Sequence, residues 1–521
     1  MRGTSLIWRA LATARMRNLI EAGEAPPVPA PPGATRRALL KGIVAAGGAS
    51  VLPQPAHAHA GGRVAIVGGG IAGLSALHHL REAGVDAHLY EARPRLGGRM
   101  FTHRPAEGPA FEVGGQLVNT DHKDMHALCS HFGVGLVDRK KDPHRTLVLA
   151  NGDRLSEDVL AEGLRAIAAQ IGRDADRLDR DYARVAPELD RLSMAAYLDR
   201  YRALMPAPWV RHLLETTSRT EYGVEPDRAS AIELVFNLPT VDGKRVEILG
   251  ESDERFVIEG GSSALIDAVG TAYRDRITPD KRLLRIARSA AGVRLHFLDG
   301  SSVDAETVIV AVPAPLTRQI DFALPLPAIW RGFIAEMALG RNEKVQMATS
   351  DRPWTAPMGV GGELWQADPR TRWSLGWDGS VHLPGRADPA WTWFLGGDGV
   401  MAAEDEAPRD LALRFARSAE AAIPGLGATA TGPFARTNWH AQALTLGAYV
   451  NYAPGQLTRF GHLLWSESDD PAERQSARAG RVLFAGEHLS DAFPGYMNGG
   501  AQTGRMAAEA ITGKVVRARA A

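Results

Sequence analysis

Two apolar spacings alternate along the chain. The run Arg63-Val64-Ala65-Ile66-Val67 has no polar position between its β-branched residues and predicts a buried strand. It leads into Gly68-Gly69-Gly70-Ile71-Ala72-Gly73, after which Leu74-Ser75-Ala76-Leu77-His78-His79-Leu80 carries apolar residues at helical spacing. Val85 to Tyr90 predicts the next strand, and Glu91 follows it at once. Leu160 to Ile171 and Met194 to Leu204 return to helical spacing. Residues 331–434 change character: Trp354, Trp365, Trp373, Trp377, Trp391 and Trp393 sit among Gly/Pro turns, which predicts strands with long loops. Those six tryptophans suit either an aromatic pocket or a sheet packed on helices. Near the end, Val482-Leu483-Phe484-Ala485 predicts a strand and Gln502 to Ile511 a helix. No internal repeat is visible.

The first of these patterns carries chemistry. Strand, G-x-G-x-x-G, helix, strand and acid occur in the order that binds a dinucleotide. Gly68 permits the tight turn, Gly70 lets backbone approach a pyrophosphate, and Gly73 allows helix and strand to pack closely. The helix start, with Ile71 and Ala72, then turns its free N–H groups towards the phosphates. Glu91 lies 18 residues beyond Gly73, a spacing suited to a ribose hydroxyl. His78 and His79 are read as packing or surface residues, without a metal-ligand partner one turn on, and no metal site is expected.

The 521 residues correspond to about three domains, or two large ones. A composition of 45% hydrophobic and 23% charged residues excludes a mostly disordered chain and a multi-span membrane protein. Lys+Arg and Asp+Glu are both 60, so no basic excess argues for nucleic acid. Cys129 is the one cysteine, which excludes an intramolecular disulfide and a structural zinc cluster; it lies in an apolar helical run, Met125 to Phe132, and reads as a buried structural thiol.

The overall neutrality hides two unlike parts. Residues 1–60 hold seven Lys/Arg and two acids, a net of +5, and the remainder has a net of −5. In this segment a stiff proline-rich stretch, Pro26 to Gly33, precedes Arg36-Arg37, an apolar stretch from Gly42 to Leu52, and Ala56-His57-Ala58-His59-Ala60. Charged region, short apolar region and small-residue cleavage frames make a signal peptide, and paired arginines point to the twin-arginine export machinery. Residues 5–20 are compatible with a basic amphipathic helix or with an unusually long leader. The expected location is periplasmic or secreted.

Two further stretches narrow the cofactor. Arg93-Pro94-Arg95-Leu96-Gly97-Gly98-Arg99 follows Glu91-Ala92, and Phe111-Glu112-Val113-Gly114-Gly115-Gln116 comes soon after. Glycine pairs let backbone pass close to a flat ring, and arginine pairs with phosphate. The first stretch resembles the flavin amine oxidase superfamily. The C-terminal Gly486-Glu487 and Pro494-Gly495-Tyr496-Met497-Asn498-Gly499-Gly500-Ala501 resemble that family's closing FAD motif. Trp439, Gly447-Ala448-Tyr449 and Pro454-Gly455 resemble the segment before it, and Gly260-Gly261 with Thr307 to Pro313 the middle one. The likeness runs from residue 63 to about 513.

The resemblance implies an α/β fold: an FAD-binding Rossmann-like domain with an inserted α+β substrate domain. The FAD domain is expected at 61–135, 255–330 and 435–515, and the substrate domain at 136–254 and 331–434, after a leader at 1–60. It implies an FAD-dependent amine oxidoreductase, in which a hydride passes from an amine to flavin and the imine hydrolyses to a carbonyl compound and ammonia. Dioxygen then takes the electrons and leaves as hydrogen peroxide. Lys344 resembles the family lysine that holds a water at flavin nitrogen 5; the plainer reading is a surface lysine paired with Glu343. Tyr449 and Tyr496 match two aromatic residues flanking the substrate nitrogen. The FAD contacts carried over are Gly68, Gly70, Ile71, Ala72, Gly73, Glu91, Ala92, Arg93, Gly98, Arg99, Gly114, Gly115, Gln116, Leu283, Gly486, Glu487, Tyr496 and Met497. Family members that bind FAD covalently use a cysteine just before the first tyrosine; Ala448 stands there, so non-covalent FAD is expected.

Amino acid oxidases need an arginine for the substrate carboxylate, often soon after the Gly-Gly segment. Here Gln116 to Lys123 contains none, which favours amines over amino acids, with Arg219, Arg245 and Arg255 as the arginines able to reverse this. Ser252-Asp253-Glu254-Arg255 is either an attractor for a polyamine or a solvated charge run. The alternatives are an L-amino acid oxidase or tryptophan 2-monooxygenase type of enzyme, and a non-catalytic FAD-containing binding protein. A homodimer is compatible with the sequence.

Overall fold

The computed structural model describes residues 62–140, 144–236, 239–242, 245–248, 252–383, 386–468 and 474–514. The leader, its cleavage frames and the tail beyond Lys514 lie outside the described residues. Among the described residues no helix is long and apolar enough to cross a membrane.

The first sheet has six strands in the order 277–278, 87–90, 64–67, 307–310, 482–484 and 478–479. The first five run parallel, and only Arg478–Ala479 is antiparallel to its neighbour. Parallel strands covered on both faces need side chains that are apolar throughout, and Val64–Val67 and Thr307–Val310 are buried along their whole length. The register sets Val67 beside Tyr90 and Val310, and Val310 beside Phe484. Gly68, Glu91, Ala311 and Ala485 therefore all follow strands that end on one edge. The chain reaches this edge from three distant segments, and ligands of such sheets bind outside the carboxyl ends of the strands.

Two helices lie together beneath that edge, Ile71–Glu82 and Met497–Thr512. The second starts at Met497, five residues earlier than the spacing indicated, because Gly499, Gly500 and Gly504 are helical. Glycine usually weakens a helix. Here a Cβ on Gly504 would stand 2.1 Å from the Ala72 carbonyl oxygen, and one on Gly500 would stand 2.7 Å from Ile71. Close contact between the helices requires bare backbone at these positions. Arg505 fastens the same helix sideways: its guanidinium donates to Asp124, Glu467 and Glu509 and is buried with Asp124. Asp124 begins helix Lys123–His131, where Cys129 is buried and desolvation pushes its thiol up to about 12.

The second sheet has seven strands in the order 430–436, 342–349, 390–396, 375–378, 363–366, 146–150 and 153–155. Its alternation separates two faces. Val345, Met347, Trp391, Trp393, Leu364, Leu147 and Leu149 share a core with Leu411 and Phe415 of helix Pro408–Ser418. Lys344, Phe394, Leu375, Trp377, Trp365 and Glu363 occupy the other face, as their directly paired positions require. The tryptophans divide between the two faces: Trp373, Trp391 and Trp393 are core behind the sheet with Trp354, and Trp365 and Trp377 belong to the core shared with the six-stranded sheet. Helices Glu157–Arg180, Met194–Arg200 and Pro208–Glu221 follow the edge strand 153–155 of this sheet along the chain.

One expectation is corrected here. His78 does have a possible ligand one turn on, Glu82, and His131 meets it from the neighbouring helix. The helical spacing of His78 and Glu82 was visible, but His131 comes from a separate helix 53 residues along, which spacing does not reveal.

Replacing Arg505 by Met is expected to lower stability by about 3–5 kcal/mol, since it leaves Asp124 buried without its cation. The denaturant midpoint of the flavin-loaded protein measures this; a midpoint within error of the parent would show that the ion pairs are ornamental.

Candidate active site

The glycine turn is shaped by close approach. Gly68 has φ +107°, and a Cβ on Gly73 would stand 1.9 Å from the Gly68 carbonyl oxygen. The Arg95–Arg99 loop lies on this turn, with the Gly97 N–H donating to the Gly69 carbonyl at 2.8 Å. Glu91 is buried beside it and accepts from the N–H groups of Gly69 at 2.6 Å and Arg93 at 2.8 Å. Ala92 and Arg93 are half-buried, and the Arg93 guanidinium donates to Thr445. Leu283 is buried at the start of strand Leu283–Ser289, in a separate four-stranded sheet. It is brought near by Lys281, whose N–H donates to the Glu91 carbonyl.

The closing motif meets this turn through one ion pair. Arg99 donates to Glu487 at 2.8 Å across 388 residues of sequence. The other Glu487 oxygen accepts from the Gly495 N–H at 2.9 Å, which fixes the approach to Tyr496 and Met497. The Gly486 N–H donates to Thr503 within the helix that follows. The Gly114–Gly115 pair runs alongside: a Cβ on Gly115 would stand 2.8 Å from Met497 Cγ.

These residues fit FAD. A Cβ on Gly70 would meet nothing within 4 Å, so the turn opens onto free space where a pyrophosphate belongs. Neither helix Ile71–Glu82 nor helix Met497–Thr512 has a side chain capping its N-terminus. Such ends attract anions through their free N–H groups and dipole. A third helix start, Ser262–Ala272, is instead closed by protein: Glu112 accepts from the Ser262 N–H and hydroxyl and from Thr102.

Lys344 projects from the front of the seven-stranded sheet into this region. Its ammonium donates to the Glu112 carbonyl at 3.0 Å, the Gly114 carbonyl at 2.8 Å and Gln116 Oε1 at 3.2 Å. The surface pairing with Glu343 is ruled out, because successive residues of a strand face opposite ways. Glu343 is buried behind the sheet against Thr437 and His440. Burial lowers the Lys344 ammonium to about 8, although Glu112 and Glu254 pull it up. Gln116 Oε1 also accepts from Trp377 Nε1 at 3.2 Å, and the ammonium lies 5.5 Å from the Trp377 ring centroid.

The two tyrosines come from opposite directions. The Tyr449 hydroxyl donates to the Thr220 carbonyl at 2.7 Å, at the end of helix Pro208–Glu221. Asn342 holds that helix end by donating to Arg219 and Thr220 carbonyls. The Tyr496 hydroxyl donates to Ser252 at 3.1 Å, and its ring makes an edge contact with His122. A Cβ on Gly495 would stand 3.2 Å from the Tyr449 ring, so the chain between the tyrosines must be bare there. Burial raises both phenols well above their usual value, and Glu221 and Glu254 push each further in the same direction.

Those two carboxylates are the part of the site that sequence reading did not resolve. Desolvation raises Glu221 to about 7. Burial also raises Glu254, helped by Glu363, while Lys140 and Arg139 oppose it. For Glu363 burial is outweighed: Lys140 at 2.6 Å and Arg139 at 3.6 Å hold its carboxyl down. Glu254 belongs to the stretch read as an attractor or a solvated run, and the run divides: Asp253 accepts from Thr120, Arg255 pairs with Asp138, and Glu254 turns inward. Of the arginines considered for a carboxylate, Arg219 is committed to Glu225 and Arg255 to Asp138, while Arg245 lies in a hairpin whose side chains are not described. A different one, Arg139, is buried with Nη2 unpartnered among the described residues. Charge type alone could suggest these groups; only the fold brings residues 139, 221, 254 and 363 together.

Comparison with known proteins agrees with this geometry. The family model for flavin containing amine oxidoreductase matches residues 71–512. A putative flavin-containing monoamine oxidase, AofH, of Mycobacterium tuberculosis is 25% identical over 460 residues, covering 86% of this chain and 96% of that one. An L-amino acid dehydrogenase of Synechocystis sp. is 24% identical over 488 residues, covering 86% and 94%. The structure of putrescine oxidase bound to putrescine has a TM-score of 0.71 at 21% identity, covering 87% of this chain and 99% of that one. With the match spanning both halves of the cofactor cradle and the sheet between them, the chain belongs to the flavin-containing amine oxidoreductase family, and it is an FAD-dependent enzyme of amine oxidation.

Proposed function

We propose that the substrates are amines without a carboxylate, oxidised between Tyr449 and Tyr496 with dioxygen as acceptor, by an enzyme exported through the twin-arginine route with non-covalent FAD. One observation carries the choice of substrate: the ionisable side chains acting on both tyrosines are Glu221 and Glu254. Carboxylates there attract a cationic amine and repel a second carboxylate. The putrescine bound in the related oxidase, an amine without a carboxylate, supports the same reading.

FAD, which the glycine turn, Glu91 and the Arg99–Glu487 junction would hold, would supply the hydride acceptor for the carbon next to the amine nitrogen. The chain supplies placement. Two tyrosine rings, each held by its hydroxyl, offer π-faces that orient the amine and exclude water. Their raised phenols stay neutral, so neither ring brings a negative charge. Once the pH passes their raised pKa values, Glu221 and Glu254 are carboxylates and draw in the ammonium form. Lys344 holds a positive charge against the Gly114–Gln116 loop. Its three N–H groups already have protein acceptors, so a water at this ammonium would displace the longest contact, that to Gln116. Ala448 offers no sulfur for a covalent link, and Cys129 is buried in a helix.

A second reading, L-amino acid oxidation, is favoured by Arg139. Its Nη2 has no hydrogen-bond partner among the described residues, while Nη1 donates to the Glu254 carbonyl at 3.0 Å. In that reading a substrate carboxylate displaces Glu254 and pairs with Arg139.

For a primary amine, kcat/KM is expected to rise as the pH passes about 7, because a carboxyl with a raised pKa gains its charge only there. Glu221→Gln should remove this step and lower kcat/KM at pH 8 by about fivefold to tenfold, the worth of one partly screened charge, with flavin content unchanged. An identical step in the variant would detach Glu221 from the substrate. For export, changing Arg36 and Arg37 together to Lys is expected to keep the enzyme in the cytoplasmic fraction of its own cells. Unchanged delivery to the periplasm would contradict the twin-arginine reading.

A further inference from the structure

We propose that His78, Glu82 and His131 form a binding site for a zinc-class divalent ion, which clamps the glycine-turn helix to its neighbour far from the reacting centre. His78 and Glu82 stand one turn apart on helix Ile71–Glu82, and His131 ends helix Lys123–His131. One ligating atom from each lies within 4.8 Å of the others. Ligand atoms around a tetrahedral Zn²⁺ with bonds of about 2.1 Å stand about 3.4 Å apart. Glu82 and His131 are exposed and His78 is buried, so closing that difference falls to the two exposed side chains.

The surroundings suit a metal. The His78 and His131 rings meet edge-on at 4.4 Å, and His79 lies 4.8 Å from His78. The Tyr273 hydroxyl is 2.9 Å from His78 Nδ1 and also hydrogen-bonds Glu82. A hydroxyl joining two ligands is a typical outer-shell device, because it sets ring orientation. The Phe132 and Tyr273 rings pack against His78 on the buried side of the cluster. Two imidazoles and one carboxylate select Zn²⁺, Co²⁺, Ni²⁺ or Cu²⁺ over Mg²⁺ or Ca²⁺.

Position sets the role. The site occupies the last turns of a helix 12 residues long, with His78 about 10 Å and Glu82 about 17 Å along the axis from the N-terminal end that faces the pyrophosphate. An ion there touches neither flavin nor substrate. It joins two helices that belong to the cofactor domain, and helix Lys123–His131 is otherwise fastened by Asp124 to Arg505.

The test uses the full-length, flavin-loaded protein after chelator treatment, titrated with ZnCl₂ by calorimetry and with Co²⁺ by visible absorption. The parent should bind one equivalent that His131→Ala weakens by more than about 100-fold and Glu82→Gln by about tenfold or more, as loss of a ligand requires. The thermal midpoint should rise with Zn²⁺ in the parent and not in His131→Ala, and amine turnover should be the same with and without the ion. His131 is exposed, and an unchanged flavin spectrum verifies that its variant is folded. Absence of a one-equivalent site, or equal affinity in parent and both variants, overturns the proposal.

Discussion

The Arg99–Glu487 ion pair is the constraint on which the region around the glycine turn depends. It joins the loop after the second parallel strand to the loop after the fifth, across 388 residues. Glu487 uses its other oxygen to fix the Gly495 N–H, so the same carboxylate that closes the domain also aims Tyr496. Burying a carboxylate is costly unless it is paired and hydrogen-bonded, and here both conditions are met from opposite ends of the chain. Either motif without the other would leave a buried charge.

From that junction the substrate side is built by one sheet with unlike faces. Its rear is a tryptophan-rich core packed on helix Pro408–Ser418, which makes the sheet a rigid plate. Its front carries Lys344, Trp377 and Glu363 towards the cofactor domain. Lys344 is bound mainly by backbone carbonyls of Glu112 and Gly114, so the lysine positions the glycine loop as much as the loop positions the lysine. Charge is then graded across the site: a cation at Lys344, neutral phenols at Tyr449 and Tyr496, and carboxylates at Glu221 and Glu254 with their ionisation delayed by burial.

Much of this was legible in the sequence because it rests on local rules. The glycine turn, the strand before it and Glu91 follow from spacing alone, and the closing motif from its likeness to a family. The sequence reading missed what depends on assembly. Spacing alone starts the last helix at Gln502, because the helical Gly499 and Gly500 before it are explained only by the Phe493 carbonyl and the Ile71 side chain that a Cβ there would strike. Lys344 was open to a surface reading until strand alternation set Glu343 behind the sheet. Glu221, Arg139 and Glu363 are ordinary charged residues in their own segments, and no period or motif marks them. They acquire meaning when a helix end, a loop and two sheets converge on Tyr449 and Tyr496. The same holds for His131, whose partners lie on another helix.

The most direct test of the central claim is an anaerobic titration of the purified yellow protein, following the flavin absorption band. If the cradle and the two tyrosines are assigned correctly, a primary amine or diamine bleaches the band stoichiometrically, L-amino acids leave it unchanged, and acid precipitation releases the flavin into solution. A protein that binds no flavin, or whose band bleaches only with L-amino acids, would contradict the account.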